Sequence, residues 1–257
     1  MTTLLPSLLL NTILGAGLGF AGGLLGIGGG LIAIPVLAWL YGMDQHLAQG
    51  TALVMIVPNV LIGFWRYHQK HRIDLRAVAA ISVFSMVAAY VAGRLASGID
   101  AGVLRIAFAL FLVALALYFG QGVLRRAHAQ AEAPAPRPMT RSALPLLGIA
   151  SGAMSGIFTI GGGLVVVPAL VGLFRMEQTR AQGTALALVV PSSAIALFAY
   201  TQEQHVAWSV GVPMAVGGVL SVSAGVALAH RFPQARLRLL FCAVLLVTAG
   251  AMFVSGG

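Results

Sequence analysis

The chain has 257 residues, of which 59% are hydrophobic and only 8% charged, and its mean hydropathy is +0.96. A soluble domain carries about 25% charged residues, so fifteen Lys/Arg and six Asp/Glu cannot give this chain a polar surface. That excludes a soluble enzyme, a disordered protein and a disulfide scaffold, and predicts an all-α polytopic membrane protein. The net charge of +9 would suggest nucleic acid in a soluble protein. Here the basic residues fall in short clusters between apolar runs, as positive-inside insertion requires, and no nucleic-acid partner is expected. The single cysteine, Cys242, lies in an apolar stretch, so neither an intrachain disulfide nor a metal site is expected.

Apolar segments fall at 4–41, 48–66, 75–97, 103–124, 143–174, 181–200, 206–229 and 237–255. They are continuous rather than alternating, which excludes a β-barrel. No Lys or Arg precedes the first run, so it is not read as a signal peptide. Six segments have the length of one crossing, about 20 residues. The segments 4–41 and 143–174 are too long, and each is broken by glycines: Gly28-Gly29-Gly30 in the first, Gly161-Gly162-Gly163 in the second. Three glycines cost roughly 1 kcal/mol each relative to alanine in a helix, so the helix is expected to open there. Residues 126–142 are polar and rich in Pro and Ala, and read as a linker on the cytoplasmic side. They divide the chain into a first membrane repeat, 1–125, and a second, 143–257.

The two parts are related. A shift of 133 residues aligns 19–67 with 152–200 without a gap, and 22 of these 49 positions are identical. Pro35 matches Pro168, Pro58 matches Pro191, Tyr67 matches Tyr200, and the block AQGTAL at 48–53 recurs at 181–186. Duplication of a membrane half is the build of many secondary transporters. Loop charges decide how the halves are oriented. If each long segment crosses once, the Lys/Arg of the connecting loops divide eight against seven. If each enters and returns as a re-entrant helical hairpin, thirteen fall on one side, and only Arg94 and Arg105 on the other. The second division matches the positive-inside rule. It predicts two inverted-topology repeats, each a glycine-broken re-entrant hairpin plus three transmembrane helices, with both termini outside the cytoplasm.

A broken helix at membrane depth must be enclosed by protein or line a cavity. In inverted repeats the two tips can meet near the midplane, each aiming a half-helix N-terminus, near Gly30 or Gly163, at the centre. Unpaired N–H groups and the positive dipole end favour an anion there. The alternative is that the glycines only let helices pack closely. Their recurrence at matching places favours a site made of Gly28, Gly29, Gly30, Gly161, Gly162 and Gly163. Gln49, Thr51, Gln182 and Thr184 can donate to the anion, and Gln49 and Thr51 can equally cap the start of their helix. Asn59 and Ser192 share helix faces with Thr51 and Thr184, and either join the site or repair carbonyls freed by Pro58 and Pro191. No charged residue lies well inside an apolar segment, so neither a cationic clamp nor a buried carboxylate relay is available. Asp44 and Glu177 read as solvated turn residues, Arg66 as an interfacial anchor, and His46, His68, His71 and His205 as loop residues without metal-ligand spacing. The absence of GxxxxGK[ST], HExxH and GxSxG argues against ATP hydrolysis, protease and lipase chemistry. No enzyme activity and no cofactor are expected.

The paired segments GIGGGLIAIP at 26–35 and TIGGGLVVVP at 159–168, each leading to an A-x-G-T block, resemble the TauE/SafE-type sulfite exporter family. The resemblance covers 4–255. It implies a multi-pass transporter of the bacterial inner membrane, moving a small sulfur-containing anion such as sulfite, sulfoacetate or another organosulfonate. The two blocks continue Thr-Ala-Leu, where many members carry a second hydroxyl residue. The partners implied are the anionic substrate and membrane lipids, with a homodimer as one assembly this reading allows. A passive anion channel and a non-transporting membrane scaffold are the alternative functions.

Overall fold

The computed structural model describes residues 4–70, 75–128, 143–159, 163–172 and 174–254, and among them regular structure is entirely helical. The helices are α1 (Leu4–Leu25), α2 (Gly30–Tyr41), α3 (Gln45–Lys70), α4 (Leu75–Ala96), α5 (Ala101–His128), α6 (Ala143–Phe158), α7 (Gly163–Gly172), α8 (Gln178–Gln202), α9 (Trp208–Ala229) and α10 (Gln234–Val254). Among the described residues, five helices are long and apolar enough to cross a membrane: α1, α3, α5, α8 and α9. In α4 and α10 the apolar portions are shorter, Ile81–Ala96 and Leu239–Met252. Large apolar side chains face outward all round, Leu220 76% and Val247 71% exposed among them. In water such a surface would aggregate; in a bilayer it is the lipid face. The fold is that of a multi-pass membrane protein. α5 runs to His128, three residues into the stretch read as a linker; the rest of that stretch, 129–142, lies outside the described residues.

Both long segments are broken where the glycines predict. α1 ends at Leu25, and the chain doubles back through Gly26, Gly28 and Gly29, whose φ values are 69°, 72° and 90°. Side chains rarely adopt such backbone, and space forbids them too. A Cβ on Gly28 would lie 2.4 Å from Val60 Cγ1, and one on Gly29 would lie 2.6 Å from the Leu18 carbonyl oxygen. α2 returns along α1 until the Tyr41 hydroxyl reaches Asn11 Oδ1. α2 has 12 residues, about 18 Å of helix, roughly half the hydrocarbon core. In the second half α7 packs on α6 and α8, as α2 packs on α1 and α3. There the break includes Thr159, at φ 55°.

The halves interlock rather than sit side by side. α1 lies along α9, and α6 along α4. Both seams are lined by small residues that let backbones touch. A Cβ on Gly15 would meet Met214, one on Gly19 would meet Gly218, and one on Gly23 would meet Val222. In the other seam, Gly148 faces Ile81, Gly152 faces Ser85 and Gly156 faces Ala89. The four-residue steps run in the same direction on both helices, so α1 is parallel to α9 and α6 to α4. α3 and α8 form the centre. Tyr67, near the end of α3, bonds Gln182, near the start of α8; Tyr200, near the end of α8, bonds Gln49, near the start of α3. These equivalent helices therefore run antiparallel.

A candidate anion site at the hairpin tips

The first tip is buried from Gly22 to Leu31. Gly29 begins α2 without a side-chain cap, and its carbonyl accepts from Ile32 N at 3.3 Å and Ala33 N at 3.1 Å. The tip is pinned from the opposite half. Gln182 Nε2 donates to the Leu25 carbonyl at 2.8 Å, and Gln182 Oε1 accepts from the Tyr67 hydroxyl at 3.0 Å. A Cβ on Gly163, the start of α7, would lie 3.9 Å from the carbonyl oxygen of Gly26. Gly163 of the second hairpin thus comes close to Gly26 of the first. Gly161 and Gly162 lie outside the described residues.

The other predicted site residues separate. Gln49 is fully buried, and its Oε1 accepts from the Tyr200 hydroxyl at 2.9 Å; the same hydroxyl lies 3.4 Å from the Ile157 carbonyl of α6. Its Nε2 has no partner. The repeat shows why. Leu25 corresponds to Phe158, whose carbonyl already accepts from Thr159 Oγ1 at 2.7 Å. Thr159 stands where the first half has Gly26, so its hydroxyl occupies the acceptor equivalent to the one that Gln182 reaches. Gln49 is left with a buried donor beside the second hairpin. A lost partner of this kind costs about 1–3 kcal/mol, and a bound anion would satisfy it.

Thr51 and Asn59 share a face, as predicted, but that face meets α9. Thr51 Oγ1 accepts from Ala207 N at 2.9 Å, and Asn59 packs on Gly218. It is Met55, between them, that reaches the glycine tip, its Cε 3.2 Å from where a Gly29 Cβ would sit. Both polar atoms of Asn59 lack partners. Thr184 is engaged with its own helix, donating to the Arg180 carbonyl at 3.0 Å. Ser192 Oγ lies 3.1 Å and 3.2 Å from the Leu188 and Val189 carbonyls, rather than at the Ala187 carbonyl that Pro191 frees. The carbonyl-repair reading therefore describes neither Asn59 nor Ser192. The capping reading of Gln49 and Thr51 is also corrected. Asp44 caps α3 by accepting from Leu47 N, and both residues lie inside the helix. Glu177 is exposed and accepts from Thr179 Oγ1. Arg66 is exposed at the end of α3, its Nε donating to Ser223 at 3.1 Å.

The tyrosines that orient both glutamines escaped the site prediction. Their recurrence was visible in the repeat, but only the antiparallel crossing puts each phenol opposite the other half's glutamine. His46 and His68 lie in α3 rather than in loops, and the His46 ring stacks on that of His205 with centroids 5.0 Å apart. His71 lies outside the described residues. Among the described residues no group of three metal-ligating side chains comes together.

Residues 11–252 match the family model described as sulfite exporter TauE/SafE. The chain is similar to a probable membrane transporter protein of Xylella fastidiosa, 30% identical over 252 residues that cover 97% of this chain and 95% of the relative. A probable membrane transporter protein of Methanocaldococcus jannaschii is 27% identical, with coverage of 94% and 92%. A third, from Bacillus subtilis, is 26% identical, with 86% and 90%.

Proposed function

The chain belongs to the TauE/SafE sulfite exporter family, and from that premise we propose that it is a secondary transporter of a small sulfur oxyanion, sulfite or an organosulfonate such as sulfoacetate. The observation that carries the anion reading is the buried, unpartnered Nε2 of Gln49 beside a glycine-broken hairpin. Two half-helix N-termini add roughly one positive charge equivalent where no cationic side chain is available. A sulfonate offers three oxygens to such neutral donors. The proposed cradle is Gly28, Gly29, Gly30 and Gly163, with Gln49 and Gln182 beside it; Gly161 and Gly162 join it by their place in the repeat alone.

The proposed topology has two inverted repeats with re-entrant hairpins, in the bacterial inner membrane, with both termini outside. Equivalent helices α3 and α8 run antiparallel, which inverted repeats require and parallel repeats forbid. Thirteen of fifteen basic residues then fall on the cytoplasmic side. The buried tips describe a closed conformation, and transport proceeds by opening the two ends of the α3–α8 pair in turn.

The test is a thermal-shift screen of purified protein against sulfite, sulfoacetate, taurine, thiosulfate and sulfate, followed by flux in ATP-free liposomes. Stabilisation by a sulfur anion, with concentrative flux under an imposed proton or anion gradient, is expected. Flux that only dissipates the anion's gradient would make it a channel; neither binding nor flux of any of these anions would leave a scaffold.

A further inference from the structure

We propose that His46 and His205 form the proton-binding latch of the outer gate, so that a proton taken from outside releases the α8–α9 connection and couples transport to protons. The inference rests on the transporter reading and extends it to the coupling ion. The α8–α9 connection, residues 203–207, closes over the first turns of α3. It is seated tightly: a Cβ on Gly50 would lie 1.8 Å from the His205 carbonyl oxygen, and Thr51 Oγ1 accepts from Ala207 N. The two imidazoles complete the seat. Their planes are 19° apart with centroids 5.0 Å apart, and the Tyr200 ring meets His205 edge-on at 6.3 Å. Tyr200 in turn holds Gln49. The latch therefore touches the proposed site through one side chain.

Each ring keeps a buried nitrogen without a partner. His46 is 7% exposed, and its Nε2 lies 2.8 Å from the Ile99 carbonyl, an acceptor that fixes the hydrogen on Nε2. Its Nδ1 then carries a lone pair, buried with no partner, and Nδ1 of His205 is likewise buried and unpartnered. A proton on either Nδ1 creates a cation with no acceptor in the closed seat and sets it against the other ring. The surrounding charges are Asp44 before α3, Glu203 after α8, which pairs with Arg94 of α4 at 2.7 Å, and Asp100 and Arg105 at the start of α5. Burial holds the His205 imidazole below the ordinary histidine pKa, His46 adds to the lowering, and Asp44 and Glu203 oppose it. A base with a depressed pKa in the closed seat stays neutral there. Closure is thus at full strength above about pH 6.5 and weakens as pH falls below it. The 133-residue shift puts Thr179 of the second half at the position of His46 and, carried five residues past the aligned block, Arg72 of the first half at that of His205, so the histidine pair has no counterpart at the other end of the α3–α8 pair.

The experiment is hydrogen exchange over residues 203–211 of the full-length protein in lipid nanodiscs, corrected for intrinsic amide rates, at about pH 5 and about pH 8, on either side of the ordinary histidine pKa. Wild type should open more readily at the lower pH, the gain setting in below about pH 6.5 and not exceeding roughly tenfold per pH unit for one proton. His205→Phe keeps a stacking ring, and His46→Gln keeps a donor for Ile99; the double variant should lose the pH dependence while sulfite flux persists without proton coupling. Equal pH dependence in the double variant and wild type, or none in wild type, overturns the latch. If the exchange result appears but no anion is moved, the latch stands and the transporter reading fails.

Discussion

Exchanging each glutamine for methionine separates the structural partner from the ligand partner. Gln182→Met removes two bonds, to the Leu25 carbonyl and from the Tyr67 hydroxyl, and leaves that carbonyl buried. At about 1 kcal/mol for the Tyr67 bond and about 1–3 kcal/mol for the stranded Leu25 carbonyl, the cost is about 2–4 kcal/mol. Gln49→Met removes one bond, from Tyr200, whose hydroxyl has the Ile157 carbonyl as a second acceptor 3.4 Å away. It also removes the unpartnered Nε2. The loss of about 1 kcal/mol is offset by relief of about 1–3 kcal/mol, so the unliganded variant should match or exceed wild type. The assay is thermal unfolding of each variant in one detergent, without and with saturating sulfite. Gln182→Met should melt lower than wild type. Gln49→Met should melt at or above wild type and lose the ligand-induced rise. Equal destabilisation by both changes, with the ligand response intact in Gln49→Met, would refute the assignment of Gln49 as the free donor.

Three further outcomes follow from the same geometry. Gly29→Val forces a branched side chain onto φ 90° and against the Leu18 carbonyl, and should abolish sulfite binding in calorimetry while the protein still inserts. Gly152→Val places its Cβ 2.1 Å from the Ser85 carbonyl oxygen, so the α4–α6 seam must part; the detergent-solubilised protein should unfold at lower temperature with no specific change in anion selectivity. With Cys242 replaced, a cysteine at Gly257 should react with an impermeant thiol reagent on intact cells and one at Ala129 should not; the reverse pattern would overturn the inverted topology.

The helices and their breaks were legible because they depend on local chemistry. Apolar length sets a membrane helix, and consecutive glycines open it, so Gly28 and Gly29 marked the first tip from sequence. The duplication then indicated that something in one half must face its counterpart in the other. Side-chain allegiance was not legible. Thr51 and Asn59 sit on one helix face in any reading, but whether that face meets a hairpin tip or α9 depends on how the halves interlock. The exchange of α1 and α6 between halves is written in the small-residue steps Gly15, Gly19, Gly23 and Gly148, Gly152, Gly156. Their periodicity announces a close seam without naming the helix across it. The same holds for Tyr67 and Tyr200, whose recurrence is visible and whose partners are not.

The differences between the halves locate function more sharply than their likeness. Identity across the repeat is enough to build the scaffold: the broken hairpins, the tyrosine–glutamine pairs and the prolines at matching places. A strictly symmetric protein would satisfy both glutamines alike and would respond identically at its two ends. This chain departs from symmetry at Thr159, which takes the carbonyl that Gln49 would otherwise bond, and at His46 and His205, which have Thr179 and Arg72 as counterparts. Both departures lie at the same end of the α3–α8 pair, joined through Tyr200. One leaves the unpartnered amide proposed to meet an anion, and the other leaves the unpartnered imidazole nitrogens proposed to meet a proton. The gradients set the direction of net movement; a proton site at one end alone would make one gate respond to pH where the other does not.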